Sequence, residues 1–348
     1  MELKLPDMLN TNKQRVFKSQ ETTYKYGYDV ADAIQESHWT WNEFNLSKDV
    51  AVYNSLPESQ RRMVDNIMRG FVQSDVQAES GWSWLATKLA PVALVTGAVA
   101  IAQNESTHYR SYSLFGTSVG LPDSFFQEFL KIPELDKQFE YLEKAVIADR
   151  KVMDNYTYVR EMYRAISIFS GALEGIELMT QFALLLLLPQ PWVALDSINL
   201  YSILDESQHS LYASKLAKTL KTQANDIYPN WIDDKLEAEI RNAFLEVCEQ
   251  EKATVKYYYE DGDHGAVDLE TALKFTEYVT DRTLILFGHQ PEFSENPITP
   301  LPELDIKLGT KLGNMFETTV TEYNKIDSEI TYDNVDAIRS IRQQVAGA

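Results

Sequence analysis

The chain predicts an all-α protein, a bundle of long helices with acid and imidazole side chains turned into its core. Three observations predict it. No stretch alternates apolar and polar residues for long enough to build a sheet, and Gly (14) and Pro (12) are sparse among 348 residues, which suits long helices. Between about residue 56 and residue 288, apolar side chains recur at helical spacing. Two copies of one motif, Glu105-Ser-Thr-His108 and Glu206-Ser-Gln-His209, lie inside apolar, Tyr-rich patterns of this kind. On a helix, Glu-x-x-His puts both side chains on one face, one turn apart. A single copy would describe a solvated helix face. Two copies in a chain with only five His say more, because a buried carboxylate and imidazole are costly unless paired or bound to metal.

Composition narrows the classes. At 44% hydrophobic the chain can build a large core, and its length allows one or two domains. A net charge of −20 argues against nonspecific binding to nucleic acid or to an anionic membrane. The single cysteine, Cys248, excludes an internal disulfide and reads as a small core residue. Met1-Glu-Leu-Lys-Leu-Pro6 does not read as a signal peptide. The most apolar run, Phe182 to Leu188, is closed by Pro189 and is too short to span a bilayer. The stretch 85–102 contains Lys88 and Pro91 and reads as a buried helix. The expected placement is cytoplasmic, with no membrane partner.

The elements follow in order. Residues 1–36 are polar and mixed, with no clear period. His38 to Asp49 carries two Trp and reads as an irregular surface loop anchored by its indoles. Leu56-Pro57-Glu58 opens a helix with a stripe at Met63, Ile67, Met68, Phe71 and Val72. Asp75 falls on or near that buried face, unless the helix surfaces there. Residues 82–117 break near Pro91 and carry Glu105 and His108, with Tyr112 on the same face. Taken alone, Tyr112 is a packing residue. Residues 123–153 form one or two helices that restart at Pro133. The helix from about Tyr156 to Leu188 is apolar on most sides and therefore central. It offers two candidate inward acids, Glu174 and Glu177. Pro191-Trp192 opens the helix that carries Asp205, Glu206 and His209. Two more helices cover 233–260 and 268–288, the first strongly charged and so expected at the periphery. After His289, Pro291, Pro297, Pro300 and Pro302 break any long helix. The polar tail from about 318 to 348, with Tyr323 and Tyr332, reads as a flexible arm.

Four helical segments thus each offer an inward acid: Asp75; Glu105 with His108; Glu174 or Glu177; and Glu206 with His209. Two Glu-x-x-His helices plus one carboxylate from each of two others is the pattern of dinuclear metal-carboxylate bundles. Four carboxylates and two imidazoles suit a pair of first-row metals such as iron or manganese. A zinc site would more often close with four ligands, and no thiolate set is present. The plain structural alternative is Glu and His paired by hydrogen bonds inside a core. Asp205, next to Glu206, is a candidate acceptor for the free N–H of a metal-bound imidazole.

From about Trp39 to Tyr323 these landmarks resemble the small, radical-generating subunit of class I ribonucleotide reductase. They are Trp39 in Trp-x-x-x-Glu-Phe-Asn-Leu-Ser-x-Asp49, Asp75 twenty-six residues later, Glu105-x-x-His108-x-x-x-Tyr112-Ser, Leu173-Glu174, and Asp205-Glu206-x-x-His209. The resemblance implies a ferritin-like helical bundle and metal ligands Asp75, Glu105, His108, Glu174, Glu206 and His209, favouring Glu174 over Glu177. It implies a radical at Tyr112 and transfer through Trp39, Asp205 and a mobile tyrosine, Tyr323, with Tyr332 as runner-up. The cofactor implied is dinuclear iron or manganese with an oxygen-derived bridging oxo or hydroxo group. The partners implied are the large subunit, a second copy of the chain in a homodimer, and a flavodoxin-like activase if manganese is used. Phe182 matches a ring packed near the metals, whereas Leu178 stands where a second aromatic is often found. Residues 1–36 would be an N-terminal segment, 37–290 the di-metal domain, and 291–348 the extension that docks the large subunit. Arg342-Gln-Gln-Val-Ala-Gly-Ala348 departs from the acidic, aromatic tail often seen in relatives. The function implied is reduction of ribonucleoside diphosphates to deoxyribonucleotides, with the reducing cysteines on the partner. The rival readings are a di-metal oxidase acting directly on a small molecule and a ferritin-like iron store.

Overall fold

The computed structural model describes residues 4–11, 16–122, 124–145, 153–264 and 267–304, and among these there is no strand. Among the described residues ten α-helices carry the fold: α1 Tyr26–Glu36, α2 Ser47–Ser55, α3 Glu58–Lys88, α4 Val92–Ser118, α5 Pro133–Ala145, α6 Asn155–Ala165, α7 Met179–Leu186, α8 Ala194–Ile227, α9 Asp234–Tyr258 and α10 Leu269–Leu286. Short 3₁₀ turns cover Asp7–Leu9 and Phe125–Lys131.

Among the described residues, α3 and α4 pack on each other more extensively than any other two elements. Pro57 precedes α3 and Glu58 occupies its first turn, as the sequence predicts. The break at Pro91 is real: α3 ends at Lys88 and α4 starts at Val92. Met63, Ile67, Met68, Phe71 and Val72 are all buried, and the same face continues through Asp75. Asp75 therefore lies inside a 31-residue helix and not where the helix surfaces.

α6 and α7 are the two ends of one helical run through the centre of the protein. Between them the backbone widens into two π-helical segments, Ile166–Ser170 and Leu173–Leu178. Every residue from Ala165 to Leu186 is buried. The run Asn155–Leu186 is long and apolar enough to cross a bilayer, but its apolar window is wholly buried inside the protein. It is a core helix, as its composition predicts.

Two helices escape the sequence reading. α1 falls in the segment read as aperiodic, because eleven residues give only one short stripe, Val30, Ala31 and Ile34. It lies tightly on α4 through Gly27, where a Cβ would meet the Ala93 carbonyl oxygen at 2.3 Å. α2 falls at the end of the Trp-rich loop. Its Asp49 is buried and its carboxylate accepts from the backbone N–H groups of Val193, Ala194 and Leu195 at 2.9–3.1 Å. A carboxylate there satisfies the free amides at the start of α8 and complements its dipole.

α9 corrects a third expectation. Most of its charged residues lie outward, but its inner face buries Phe244, Val247, Cys248, Val255 and Tyr258, and one acid, Glu251. The helix is part of the core as well as its edge, and Cys248 is a buried core residue there. Asp233 and Asp268 cap α9 and α10 by accepting from Leu236 and Thr271 amides. From residue 287 to 301 the chain is irregular, held by Asp281, whose carboxylate accepts from the amides of Glu292, Phe293 and Ser294.

Candidate metal centre

α3 brings Asp75 to the centre, α4 brings Glu105, His108 and Tyr112, the second π segment brings Glu174, and α8 brings Asp205, Glu206 and His209. The ligand atoms form two groups. Asp75, Glu105, His108 and Glu206 lie within 4.8 Å of one another, and so do Glu105, Glu174, Glu206 and His209. Glu105 and Glu206 belong to both. Two adjacent metal positions sharing two bridging carboxylates is the arrangement this overlap can hold.

The hydrogen-bond count tests the fit. Both oxygens of Asp75, Glu105 and Glu206, and Nδ1 of His108 and His209, are buried with no hydrogen-bond partner. They are close to one another: His108 Nδ1 lies 3.1 Å from Glu206 and 3.3 Å from Glu105, and His209 Nδ1 lies 2.8 Å from Glu105. These atoms meet only one another, as acid–imidazole pairs. Buried polar groups are nearly always paired, so eight buried atoms that converge on one point with no hydrogen-bond partner outside the cluster fit a metal pair.

The surrounding residues hold the other ends of these side chains. His108 Nε2 lies 3.2 Å from Asp205 Oδ2, and His209 Nε2 lies 3.0 Å from Asn104 Oδ1. With the ring proton on Nε2 in each, both Nδ1 lone pairs face the acids, the tautomer a metal requires. Asn104 also donates its amide to Asp205 at 3.1 Å, tying the two histidine supports together. Glu174 accepts from Ser170 at 2.8 Å and from the Trp82 indole. Glu177 is absent from both groups and accepts from Ser74 instead. Asn104 and Trp82 carry no signal in the sequence that separates them from ordinary core residues.

Charge explains the titration of the centre. Burial holds the Asp75 and Glu174 carboxyls well above the usual carboxylate range, with His108 and His209 respectively pulling the other way. Burial also opposes charge on His108 and His209, but the facing acids outweigh it. Asp205, Glu105 and Glu206 keep His108 well above its ordinary value, and Glu105 and Glu206 do the same for His209. With the four acids ionised and both imidazoles neutral, the cluster carries four negative charges, which a pair of dications would balance.

Tyr112 is buried beside the centre. The edge of Phe71 meets it at 4.3 Å between centroids, and Phe182 stacks on it at 6.1 Å. Leu178, on the same segment as Glu174, is also buried. The phenol donates toward Asn199 Oδ1 at 3.0 Å and lies 3.3 Å from Ser202 Oγ. Asn199 is oriented by its own amide, which donates to the Phe182 carbonyl at 2.6 Å. Burial pushes the phenol well above its ordinary range, with Ser202 acting the other way, so it is neutral at physiological pH. Asn199 and Ser202, missed by the sequence reading, lie two turns and one turn before Glu206.

Trp39 is 3% exposed, stacks on His108 at 5.8 Å and 19°, and donates its indole N–H to Asp205 at 2.9 Å. Trp41, the second indole of this loop, lies under the Arg110 guanidinium. Tyr323 and Tyr332 lie outside the described residues.

Comparison with known proteins follows the same residues. The family model for "Ribonucleotide reductase, small chain" matches residues 16–300. A probable ribonucleoside-diphosphate reductase small subunit of invertebrate iridescent virus 6 is 29% identical, over 90% of this chain and 95% of its own. The ribonucleotide reductase R2 subunit of Clostridium botulinum superposes with a TM-score of 0.77 at 19% identity, covering 87% of this chain and 94% of its own. An R2-like ligand-binding oxidase with a Mn/Fe cofactor shares the fold at a TM-score of 0.60 and 14% identity, covering 75% and 94%. The family match runs through every helix that builds the centre, and the chain belongs to the ribonucleotide reductase small-chain family, as the small subunit of a class I ribonucleoside-diphosphate reductase.

Proposed function

We propose that this subunit generates a radical on Tyr112 and passes it through Asp205 and Trp39 to a large subunit, which reduces ribonucleoside diphosphates to deoxyribonucleotides. The observation that carries the reading is the set of unpaired buried ligand atoms beside a buried phenol, linked by His108 and Asp205 to Trp39.

Asp75, Glu105, His108 and Glu206 would hold one metal, and Glu105, Glu174, Glu206 and His209 the other. The ligand types suit iron or manganese equally. When bound, the pair supplies the oxidising power of molecular oxygen as a one-electron oxidant. Tyr112 gives up an electron and its phenolic proton together, because the neutral phenol is held far from ionisation. Asn199 and Ser202 fix the direction of the hydroxyl. Phe71, Phe182 and Leu178 keep water away from the ring. Asp205 accepts from both His108 and Trp39, so one carboxylate couples the centre to the indole.

In this reading residues 37–290 are the radical domain and 291–348 carry the large-subunit docking segment, with Tyr323 as the mobile relay. The subunit works as a cytoplasmic homodimer, and manganese would add a flavodoxin-like activase. The R2-like oxidase shares the fold, so fold alone does not separate the two activities. The test is electron paramagnetic resonance after loading metal-free protein with ferrous iron and oxygen, beside a manganese sample. The wild type gives a tyrosyl signal. Tyr112→Phe binds two metals per chain, gives no signal and supports no turnover. Full turnover in Tyr112→Phe refutes the reading. Two bound metals with no tyrosyl signal under any loading favours the oxidase.

A further inference from the structure

Trp39 is nearly inaccessible, so an oxidising equivalent on its indole leaves the protein only through a neighbouring group. Three rings pack on it. His108, at 5.8 Å, lies on the metal side and is itself buried. Phe44 lies at 5.9 Å and Tyr201 at 5.9 Å, inclined at 30°. Phe44 stacks in turn on Tyr201 at 5.9 Å, so Trp39, Phe44 and Tyr201 close a triangle of rings. Phe44 has no proton to lose and no easily removed electron. Tyr201 has both, and at 38% exposure its side chain reaches solvent. It sits on α8 four residues before Asp205, one turn away.

We propose that Tyr201 is the outlet of the radical path from the buried core, the residue that takes the oxidising equivalent from Trp39 and presents it at the surface of the subunit, where the mobile tyrosine proposed above takes it up. The inference rests on the reading of Tyr112 and Trp39 given above. In the step, one electron moves from Tyr201 to oxidised Trp39 and restores the neutral indole. The Tyr201 phenol releases its proton to the solvent that reaches it. The phenoxyl group is then reduced by an electron from the mobile relay tyrosine, and a proton returns from water. Exposure is what suits Tyr201 to the task. Tyr112 is enclosed by neutral acceptors, whereas a phenol at the surface has water as its proton acceptor and needs no dedicated base.

The path runs through contact. Trp39 shares Asp205 with His108 on one side and packs on Tyr201 on the other. No other described tyrosine has a ring contact with Trp39. The phenol, not the ring stack, is the functional part, which separates a relay from a packing role.

The experiment uses the full chain loaded with metal and oxygen, as wild type, Tyr201→Phe and Tyr201→Leu. Tyrosyl signal is followed by electron paramagnetic resonance after adding ferrocyanide, a charged reductant confined to the surface. Radical yield before addition is the same in wild type and Tyr201→Phe. Decay in ferrocyanide is about tenfold slower in Tyr201→Phe, equivalent to about 1.4 kcal/mol of barrier. Tyr201→Leu, which also removes the stacked ring, decays at least as slowly as Tyr201→Phe. Equal decay in wild type and Tyr201→Phe overturns the outlet, because surface reduction then bypasses this phenol. No tyrosyl signal in the loaded wild type overturns the underlying radical reading, and the outlet with it. As a second readout, 3-aminotyrosine at position 201 is more easily oxidised than tyrosine. In the complex with large subunit and substrate it traps a new radical signal as the Tyr112 signal falls. Loss of the Tyr112 signal with no aminotyrosyl signal overturns the proposal.

Discussion

Glu177→Gln tests how burial and charge are balanced next to the centre. Glu177 is buried, accepts from Ser74 through one oxygen, and has no partner for the other. Glu251 on α9 is buried too. It accepts from Gln138 at 2.9 Å and Gln181 at 3.1 Å, and its second oxygen is also unpaired. Burial pushes Glu177 up to about 7 from an ordinary value of 4.5, with Ser74 acting the other way. Burial, reinforced by the charge on Glu177, pushes Glu251 up as well. The sign follows from proton binding. Between pH 4.5 and pH 7 the folded chain keeps a proton on Glu177 that the unfolded chain has lost, so stability falls as pH rises through that window. Below the window Glu177 contributes no penalty, and above it the penalty is complete, at about 3 kcal/mol. The amide of Glu177→Gln keeps an acceptor for Ser74 and is neutral at every pH. Urea unfolding of metal-free wild type and variant should therefore show the variant gaining about 3 kcal/mol on the wild type between pH 4.5 and pH 8. A difference that stays constant across that range refutes the reasoning.

Three other expectations follow from single contacts. Asp49→Ala strips the start of α8 of its acceptor and should cost about 2 kcal/mol or more in unfolding free energy, with Asp49→Asn recovering part of it. Asn199→Leu removes the Tyr112 acceptor and the side-chain donor to the Phe182 carbonyl; it should cost about 1–3 kcal/mol by denaturant unfolding and shift the g-values of the tyrosyl signal. Glu206→Ala removes an acid common to both ligand groups, so metal analysis should find less than one ion per chain where the wild type holds two, and the rise in melting temperature on metal loading should vanish.

Much of the fold was readable because burying charge in an apolar helix is anomalous. Asp75, Glu105 and Glu206 stand out for that reason, and Pro57, Pro91 and Pro191 mark the starts of the helices that carry them. The supporting residues did not stand out. Asn104, Asn199 and Ser202 are small polar residues compatible with many positions, and only the fold shows that they meet His209 and Tyr112. α1 and α2 are too short to establish a period. α9 is different, because its phase was available: Phe244, Val247, Glu251, Val255 and Tyr258 follow helical spacing. The charged residues on its outer face mask that spacing, and with it the buried Glu251. Glu177 and Glu174 are three apart and equally apolar in context, so helical phase alone could not choose between them.

The two π segments explain why phase fails there, and they carry a consequence for the chain as a length of polymer. A π turn holds more residues than an α turn, so α6 and α7 are set at different clock positions on a common axis. The number of residues between Ala165 and Met179 is therefore a setting, not a spacer. Removing one of the buried apolar residues from Ile166–Ser170 would leave hydropathy, caps and helix content almost unchanged. A straightened turn would absorb the loss and leave everything beyond the cut near its present clock position, whereas the same deletion within α-helical α6 would turn it by about 100°. Only the second would rotate Glu174, Gln181 and Phe182 together, taking an acid from the ligand cluster and a ring from Tyr112 in one step.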